Sequence, residues 1–575
     1  MGPAAAAAKA PSLQPIAAER YLGALKVHGI DYLFVNSGTD FPSIVEAFAR
    51  AGADSADVPR PLVVPHEHVA MGMAHGYYAV TGRPPAVMFH VSVGTANGIC
   101  ALINAYRDNI PIVFTAGRTP ISETGPHGTR SRHIHWGQEM FDQGGMVRES
   151  VKWDHELHAH ERADDVVARA LEVAMTPPRG PVYLTLPREV LAAPAEDDER
   201  PPRRWVAAAP APPNADAIET LAGWIVDARM PLIITGAVGR NPAAVEALSA
   251  LAERFAIPVS MLMQRYLCLP HSHSMHAGYA PAARLPEADL VIVLDTDVPW
   301  IPRDDRLRSG ARVAHIGEDP IFSWYPMRSY PNDLAIAADP ALALTALSAA
   351  LDERKAASGA KVAERRARLS EETRKQREGW AAEADRAGKG SAITSAWISK
   401  CVADVIDDDV LMFNEYHLKQ EYCPIERPGS YFALSPAGGL GWSICAALGA
   451  KLAHPERLVI SCIGDGSYIF ANPTTCHWVS DAHRLPILTI VFNNAIWGAV
   501  RANTLDMYGQ GAAAQDNGRL LADLSPSPAF EKIVEAQGGH GERVEKPEDL
   551  PAALARAIAT VRGGRQALLN VICKT

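Results

Sequence analysis

Two polar segments in the C-terminal third follow apolar runs, and their residue types could bind a divalent metal ion. The segment GDGS (464–467) follows RLVISCI, and the segment NN (493–494) follows ILTIVF. The carboxylate of Asp465, the amide oxygen of Asn494 and the backbone carbonyl of Ile496 would supply three oxygen ligands. Mg²⁺ prefers such hard ligands in an octahedron, which two diphosphate oxygens and a water would complete.

For these ligands to meet, residues 457–501 must form a strand–helix–strand unit. The interval from Asp465 to Asn494 is 29 residues, which accommodates a crossover helix and brings both strand ends to one edge of a parallel sheet. Gly464 and Gly466 would allow a tight turn and bring backbone N–H groups close to an anion. Gly-Asp-Gly alone is weak evidence, because Asp is a common turn residue. The two segments together predict a diphosphate and magnesium site.

A second candidate lies in PHEHVAMGMAHGYYAVTG (65–82), where Glu67 stands among histidines after an apolar run. A zinc-protease helix requires His-Glu-x-x-His, which places two imidazoles one helical turn apart. The residue four positions after His66 is Ala70, so the spacing excludes that zinc motif. Glu67 therefore needs another function, in a place where a buried carboxyl group tends to hold or share a proton.

The elements that must position these residues alternate between β-branched runs and alanine-rich amphipathic segments. This alternation predicts an α/β protein with three doubly wound parallel-sheet domains. Proline-rich and charged segments separate the three domains. We expect a loose tail (1–14), a first domain (15–194), a linker (195–215), a central domain (216–350), a solvated helical connector (351–390) and a third domain (391–575).

Eleven apolar runs are the predicted strands of these domains. In the first domain they are DYLFVNSG, PLVVPHE, PAVMFHVSVG, PIVFTAG and GPVYLTLP. In the central domain they are PLIITGAVG, PVSMLM, LVIVLDTD and RVAHIGEDP, and in the third domain RLVISCIGDG and ILTIVFNN.

Size, charge and cysteine use exclude several classes of protein. At 575 residues, with 48% hydrophobic and 21% charged residues, the chain has the composition of a large globular protein. A formal net charge of −10 offers no basic field for nucleic acid. No apolar run reaches the roughly 18 residues of a membrane span. The 8 scattered cysteines lack a Cys-x-x-Cys pair, so we expect reduced thiols in a cytoplasmic protein without nucleic-acid or membrane partners.

The paired motif resembles the diphosphate-binding motif of thiamine diphosphate (ThDP) enzymes, the family of acetolactate synthase, pyruvate oxidase, oxalyl-CoA decarboxylase and benzoylformate decarboxylase. The resemblance extends from about Pro15 to the C-terminus. The interval from Asp465 to Asn494 is slightly longer than in close relatives, so Asn493 is an alternative amide ligand. Similar segments are FVNSGTD, HEHVAMGMAHGYYAVTG, the Gly-x-x-Asn turn in HVSVGTANG, GPVYLTLP and SPAGGLGWSICAALGAKLAHPER.

The resemblance implies ThDP and Mg²⁺ as cofactors, held by a pyrimidine-binding first domain and a diphosphate-binding third domain that flank a Rossmann-like central domain. Glu67 would hydrogen-bond N1′ of the aminopyrimidine, the carbonyl of Gly438 would accept the 4′-amino group, and Leu440 would lie beneath the bent cofactor. Each active site would lie at the subunit interface of a homodimer or homotetramer. Residues implied to bind the diphosphate or the metal are Gly464, Asp465, Gly466, Ser467, Asn494 and Ile496.

The resemblance also suggests residues on the substrate side. His90 lies where benzoylformate decarboxylase has an active-site histidine, and Thr39 where it has a serine, which favours a decarboxylase with a histidine proton donor. His273 would lie near a second active-site histidine, contributed by the central domain. A metal site in the tract 271–276 is not expected, because no carboxylate or thiol accompanies its histidines.

Residues after the magnesium loop would lie near the substrate. Ala499 and Asn503 correspond to pocket positions in benzoylformate decarboxylase, where the second is aromatic, so a phenyl-bearing substrate does not follow. Trp442 and Trp497 either line the cofactor channel or take part in ordinary packing. The glycine- and alanine-rich segment 503–526 is either a lid or a mobile insertion.

We therefore expect a ThDP- and Mg²⁺-dependent carbon–carbon lyase, or decarboxylase, of a 2-oxo acid. The resemblance implies attack by a C2 ylid, loss of carboxylate and protonation of an enamine to release an aldehyde. Alternatives are an acetolactate-synthase-like carboligase (a transferase), an oxalyl- or 2-hydroxyacyl-CoA lyase, and a protein that binds ThDP without turnover. Flavin (FAD) would accompany the acetolactate-synthase-like carboligase and is not expected for the other functions.

Overall fold

The computed structural model describes residues 14–52, 55–195 and 203–574, so most of the expected tail (1–14) and part of the expected linker (195–215) lie outside the described residues. Within them, three sheets of parallel strands are flanked by helices, which confirms the α/β fold class. No described helix has the length and apolar character to cross a bilayer. The chain divides into one unit that runs to Met71 and from Arg83 to Ala207, and a second that comprises Gly72–Gly82 and the chain from Ala208 onward.

The first unit is built on one sheet. Its strands are β1 (Tyr32–Asn36), β2 (Arg60–Val63), β3 (Ala86–Phe89), β4 (Val113–Arg118), β5 (Asp154–Glu156) and β6 (Val182–Pro187), in the order β2-β1-β3-β4-β6-β5. Its helices are α1 (Ala17–Val27), α2 (Pro42–Ala51), α3 (Glu67–Thr81), α4 (Val91–Arg107), α5 (Ile134–Gly137), α6 (Ala163–Met175) and α7 (Arg188–Ala192). The second half of α3 belongs to the second unit.

The second unit contains the central sheet and the third sheet. Central strands are β7 (Pro231–Thr235), β8 (Val259–Met261), β9 (Leu290–Leu294), β10 (Arg312–Gly317) and β11 (Leu334–Ala337), in the order β11-β10-β9-β7-β8. The accompanying helices are α8 (Ala215–Asp227), α9 (Pro242–Phe255), α10 (Pro340–Glu353) and the long α11 (Ala360–Gly388).

The third sheet holds the candidate magnesium motif. Its strands are β12 (Ile393–Thr394), β13 (Leu411–Asn414), β14 (Tyr431–Ala433), β15 (Val459–Gly464), β16 (Leu488–Asn493), β17 (His540–Val544) and β18 (Ala567–Lys574), in the order β12-β18-β16-β15-β13-β14 with β17 beside β18. Its helices are α12 (Ser395–Ala403), α13 (Trp442–Ala453), α14 (Asp465–Phe470), α15 (Pro473–Ala482), α16 (Gly498–Tyr508), α17 (Ala512–Gln515), α18 (Phe530–Glu535) and α19 (Leu550–Arg562).

All eleven predicted strands are present, and seven more were not predicted. Strands β3, β15 and β16 are buried along their whole length, since helices cover both faces of a doubly wound sheet. The additional strands are β5, β11, β12, β13, β14, β17 and β18. Most are short or polar, so their strand conformation depends on pairing with a neighbour, although β18 carries a clear apolar run.

The charged connector is the helix α11, but it is not wholly solvated as expected. Arg365 is buried, and its guanidinium donates to the backbone carbonyls of Phe255, Ala256 and Ala228. These carbonyls lie at the C-terminal ends of α8 and α9, where a cation compensates the negative end of the helix dipole. One arginine of the charged run therefore anchors the connector to the central domain.

The second half of α3 packs closely against α13 through glycines. A Cβ on Gly76 would overlap the carbonyl oxygen of Ala446, and a Cβ on Gly449 would overlap that of Met73. Both pairs lie within the second unit. Glycine at these positions lets two helix backbones come into contact, which holds the second half of α3 to α13.

Replacing Gly449 by Ala should destabilise the folded chain by about 1–3 kcal/mol, because overpacking forces the two backbones apart. The matched change Gly223→Ala in α8, where a Cβ meets nothing within 4 Å, should instead stabilise it by about 0.5–1 kcal/mol, since Ala is the better helix former. Urea denaturation of the parent and both variants measures the difference. Equal stability of Gly449→Ala and the parent would contradict the close packing.

Candidate active site

Glu67 lies at the carboxyl edge of the first sheet, where it begins α3 shortly after β2. Only 7% of the residue is exposed. Its Oε1 accepts a hydrogen bond from Nδ2 of Asn36 at 2.9 Å, and its Oε2 accepts one from Nδ2 of Asn97 at 2.6 Å. Among the described residues no lysine or arginine forms an ion pair with it. Two neutral amides therefore orient the carboxylate without neutralising its charge.

The predicted Gly-x-x-Asn turn is helical, which corrects the expectation from sequence. Gly94 and Asn97 lie in the first two turns of α4, one turn apart. A Cβ on Gly94 would lie 3.1 Å from Oε1 of Glu67. The glycine therefore makes room for the carboxylate, and the asparagine binds it from the same helix face.

His90 forms a hydrogen-bonded pair with Asp40, which the sequence analysis did not single out. Nδ1 of His90 lies 2.5 Å from Oδ1 of Asp40, and Nε2 lies 3.0 Å from the amide nitrogen of Gln138. Because an amide nitrogen can only donate, Nε2 accepts and the ring proton of the neutral imidazole lies on Nδ1. Asp40 is 2% exposed, so the pair is fixed in a largely water-free place.

The backbone around this pair is adapted to it. A Cβ on Gly38 would overlap the His90 ring, and a Cβ on Gly117 would overlap the Asp40 carboxylate. Val91 has a φ of 30°, a strained value for a β-branched residue that marks a tightly specified position. Thr39 lies between Gly38 and Asp40 and is half-buried. The structure thus brings both predicted substrate-side residues of the first domain, Thr39 and His90, to one loop cluster.

At the carboxyl edge of the third sheet, Asp465 contacts the loop that follows β16. Its Oδ1 accepts the N–H of Gly466 at 2.8 Å and its Oδ2 accepts the N–H of Ala495 at 2.6 Å. Oδ1 of Asn494 accepts the N–H of Ile496 at 3.1 Å. Burial raises the pKa of Asp465, and the backbone N–H donors oppose this rise. The three predicted metal ligands therefore lie in two segments that contact each other, after β15 and after β16.

Asn493 has a different environment from Asn494. It is buried, and its amide nitrogen donates to Oγ of Ser527 at 2.6 Å and to Oδ1 of Asn570 at 2.8 Å. Those partners hold Asn493 within the packing of the third sheet. The amide oxygen of Asn493 is buried without a hydrogen-bond partner among the described residues, whereas that of Asn494 accepts the N–H of Ile496, so both alternatives for the amide ligand stay predictions.

Gly464 and Gly466 do not act as turn glycines, contrary to the sequence analysis. Gly464 has a φ of −75°, and Gly466 lies in α14, so neither needs a left-handed backbone. Their role is close approach: a Cβ on Gly464 would overlap the His417 ring, and one on Gly466 would overlap the ring of Trp497. His417, which follows β13 and stacks on Phe492 at a centroid distance of 5.5 Å, is a further residue at this edge.

Glu415 is a fully buried carboxylate beside the predicted diphosphate loop, and the sequence analysis missed it. Its Oε1 accepts the N–H of Gly441 at 2.8 Å and its Oε2 that of Ser443 at 2.9 Å, at the start of α13. Ser467 also hydrogen-bonds to it. Burial raises the pKa of Glu415, and these donors lower it. Its strand β13 was not predicted, so the position of Glu415 at a sheet edge could not be recognised.

The loop before α13 has the backbone expected for close contact with a ligand. Gly438 has a φ of 68° and Gly441 a φ of 81°, values that favour glycine. A Cβ on Gly441 would meet Ala471, and one on Gly438 would lie 3.6 Å from the hydroxyl of Tyr416. Leu440, between them, is half-buried.

Comparison with known proteins decides the family. The models of the thiamine pyrophosphate enzyme N-terminal TPP binding domain, central domain and C-terminal TPP binding domain match residues 17–146, 218–347 and 416–571. This chain belongs to the thiamine pyrophosphate enzymes. The candidate residues Glu67 and His90 lie in the N-terminal TPP binding domain, and Asp465 and Asn494 in the C-terminal one.

Curated relatives of this ThDP enzyme include both decarboxylases and synthases. Benzoylformate decarboxylase of Pseudomonas aeruginosa is 29% identical over 497 residues, 83% of this chain and 85% of that protein. Acetolactate synthase large subunit IlvG of Mycobacterium tuberculosis is 27% identical over 564 residues, 95% of this chain and 94% of that protein. The crystal structure of benzoylformate decarboxylase from Polynucleobacter necessarius superposes with a TM-score of 0.78 at 19% identity, covering 97% and 99% of the two chains, which shows the shared fold.

Other residues predicted for the ThDP site have less direct support. Both ring nitrogens of His273 have backbone partners, the carbonyl of Ser249 at 3.1 Å and the N–H of Met275 at 3.1 Å, so its catalytic role stays a prediction. Trp442 is buried against other rings, including Phe413, which favours ordinary packing. Within the described residues, three metal-ligating side chains approach one another at His155, His158 and Glu161, not in the tract 271–276.

In this ThDP enzyme the segment 503–526 contains the end of α16 and the short helix α17, and the rest is turn and loop. Helix α16 contains Ala499 and Asn503, both exposed, and the amide nitrogen of Asn503 donates to the Ala499 carbonyl at 2.9 Å. Helix α17 follows. Several large apolar side chains here are exposed, by 67% at Met507, 60% at Tyr508, 75% at Leu520 and 88% at Leu521. The two alternatives for this segment, a lid and a mobile insertion, stay predictions.

Replacing Glu415 by Gln should cost about 1–3 kcal/mol of stability, because one of the two N–H groups at the start of α13 loses its acceptor in a buried place. Glu548→Gln, at an exposed carboxylate of the same unit, is the matched control and should be neutral. Chemical denaturation of both variants measures the effect. If Glu415→Gln is as stable as the control, Glu415 does not hold this helix start.

Proposed function

We propose that this chain is a ThDP- and Mg²⁺-dependent lyase that decarboxylates a 2-oxo acid. The observation that carries the proposal is Glu67, a buried carboxylate whose two oxygens are held by neutral amides at a sheet edge. A protein that only bound ThDP would need no such carboxylate, because burying an unneutralised charge is costly. Its retention supports catalysis.

The described residues fit the cofactor and metal. Asp465, Asn494 and the carbonyl of Ile496 offer the oxygen donors that Mg²⁺ prefers, and Asp465 already contacts the loop that contains the other two. Glu67 would hold and exchange a proton with the aminopyrimidine ring, and the carbonyl of Gly438 would accept its amino group. Bound ThDP would supply the electron sink that stabilises the carbanion left when carbon dioxide departs.

His90 would carry the substrate-side proton. In its neutral form it donates to Asp40 and accepts from the amide nitrogen of Gln138. The amide oxygen of Gln138 is buried without a hydrogen-bond partner among the described residues. If Gln138 turned its amide, that oxygen would accept from a protonated His90, so the surroundings can serve both charge states. For His90 to donate a proton to a carbanion, the substrate would have to take the place of Gln138 at Nε2.

Carboligation is the second candidate function. The acetolactate synthase relative covers 95% of this chain, and a carboligase would use the same Glu67 and magnesium site. The reactions differ only after carbon dioxide leaves, when a second carbonyl compound, instead of a proton, is added.

Assembly and location belong to the same proposal. We propose a homodimer or homotetramer with active sites between subunits, as the resemblance to ThDP enzymes implies. All eight cysteines are free thiols, which supports a cytoplasmic location, where thiols stay reduced.

Replacing Glu67 by Gln should leave ThDP and Mg²⁺ binding close to that of the parent while turnover falls by about a hundredfold or more, within the range for a positioned proton-transfer group. Calorimetry measures binding, and mass spectrometry measures products from a panel of 2-oxo acids. Carbon dioxide with an aldehyde supports the decarboxylase, and ketol products support the carboligase. Glu46→Gln on the exposed face of α2 is the control. Undiminished turnover in Glu67→Gln would refute the proposed mechanism.

Replacing Asp40 by Asn should lower kcat by roughly ten- to a hundredfold, part of what a positioned acid–base group contributes. The reason is that His90 loses the carboxylate that orients it and favours its proton on Nδ1. In a His90→Ala background the same change should have almost no further effect, because coupled residues are not additive. Equal effects of Asp40→Asn in both backgrounds would show that Asp40 acts independently of His90.

A further inference from the structure

A cavity within the second unit is lined by none of the candidate active-site residues. It has a volume of about 390 Å³ and is lined by residues of the central domain, helix α11 and the loop after β13. Two of its walls are aromatic: the rings of Tyr279 and Trp380 have centroids 5.9 Å apart and an angle of 30° between their planes. Faces of such rings carry partial negative charge and attract cations.

Two hydrogen-bond acceptors in the lining have no partner among the described residues. Oε1 of Gln376 is buried and unpaired. The carboxylate of Glu421 lines the same cavity, and the described part of the chain provides it with no hydrogen bond or ion pair. Buried acceptors without donors are rare in folded proteins. The buried Gln376 oxygen therefore lacks a donor, and the half-buried Glu421 carboxylate has none from the described protein; a ligand with N–H groups would supply both.

The other charged groups of the lining neutralise one another. Arg284 forms an ion pair with Glu372 at 2.6 Å, and Arg368 forms ion pairs with Glu372 at 2.8 Å and with Glu287. With these four residues paired, Glu421 leaves the cavity with an excess of negative charge. The two arginines are thus already occupied and are poorly placed to attract an anion.

Two histidines behind the aromatic wall add no positive charge near neutral pH. His271 lies 5.4 Å from Trp380 between ring centroids, and His276 lies 5.0 Å from Tyr279. Burial lowers the pKa of His271 to about 4 and that of His276 to about 3. Both rings are therefore neutral above pH 5 or so and do not offset the charge of Glu421; Arg377, which lies near both rings, is not part of the cavity lining.

We infer that this cavity binds an organic cation with N–H donors, of the primary ammonium or guanidinium class. Tyr279 and Trp380 contact its positive face, Glu421 neutralises its charge, and Gln376 accepts one of its N–H groups. The size of the cavity suits a small molecule. The inference is independent of the proposed catalytic function, because it concerns binding only.

The test uses the full chain loaded with ThDP and Mg²⁺ and measures binding by saturation-transfer NMR and calorimetry. The probes are methylguanidinium and n-butylammonium, with 1-butanol as the neutral match, tetramethylammonium as a cation without N–H groups, and inorganic phosphate as the anion. We expect the first two to bind in preference to the other three. Stronger binding of phosphate or equal binding of 1-butanol would overturn the inference, as would the absence of binding by both N–H cations.

Three amino-acid substitutions test whether the probes bind in this cavity. Glu421→Gln keeps the shape of the side chain and should weaken binding of methylguanidinium about tenfold, as expected for loss of a charged hydrogen-bond partner. Trp380→Leu should weaken it as well. Asp385→Asn, at an exposed carboxylate on the same helix α11 that does not line the cavity, should leave it unchanged. Unchanged melting temperature of Glu421→Gln establishes that it folds, and unchanged affinity in that variant would refute the assignment.

Discussion

The candidate active site depends on burying carboxylates without fixed cations beside them. Asp40, Glu67, Glu415 and Asp465 are exposed by only 2%, 7%, 0% and 4%. Among the described residues none of the four forms an ion pair with lysine or arginine; their partners are amides, backbone N–H groups and the His90 ring. Moving an unpaired carboxylate out of water costs several kcal/mol even after relaxation. These hydrogen bonds therefore stabilise the local backbone conformation. They explain why the ends of strands, the starts of helices and several glycines lie next to the carboxylates.

Local sequence motifs at strand ends predicted that several of the candidate residues lie at sheet edges. Asp465 and Asn494 follow continuous apolar runs, and parallel strands must place their carboxyl ends at one edge. Glu67 could be recognised because it follows an apolar run and opens a helix rich in small residues. The fold class followed from the same alternation of apolar runs and amphipathic segments. In each case the information lies within a few consecutive residues.

The missed residues depend on contacts between segments distant in sequence. Asp40 has no distinguishing feature in the sequence. The pairing of β1 with β3 brings it beside His90, which lies fifty positions later in the chain. Glu415 was not assigned because β13, a short apolar run that it directly follows, was not recognised as a strand. Gly464 and Gly466 were predicted to matter for the wrong reason: the rings of His417 and Trp497, which need the space of a missing Cβ, come from other segments. Sequence patterns predict the local backbone conformation better than they predict which side chains from distant segments come into contact.

Asp465 and Glu67 are similarly buried but have different hydrogen-bond donors. At Asp465 the donors are backbone N–H groups of the loop that also offers the Asn494 and Ile496 oxygens, so a divalent cation would meet oxygen ligands on both sides. Burial alone raises the pKa of Asp465, whereas a bound cation favours the ionised carboxylate, so metal binding and proton binding oppose each other there. At Glu67 the donors are the neutral side-chain amides of Asn36 and Asn97, which orient the carboxylate without placing a fixed cation beside it.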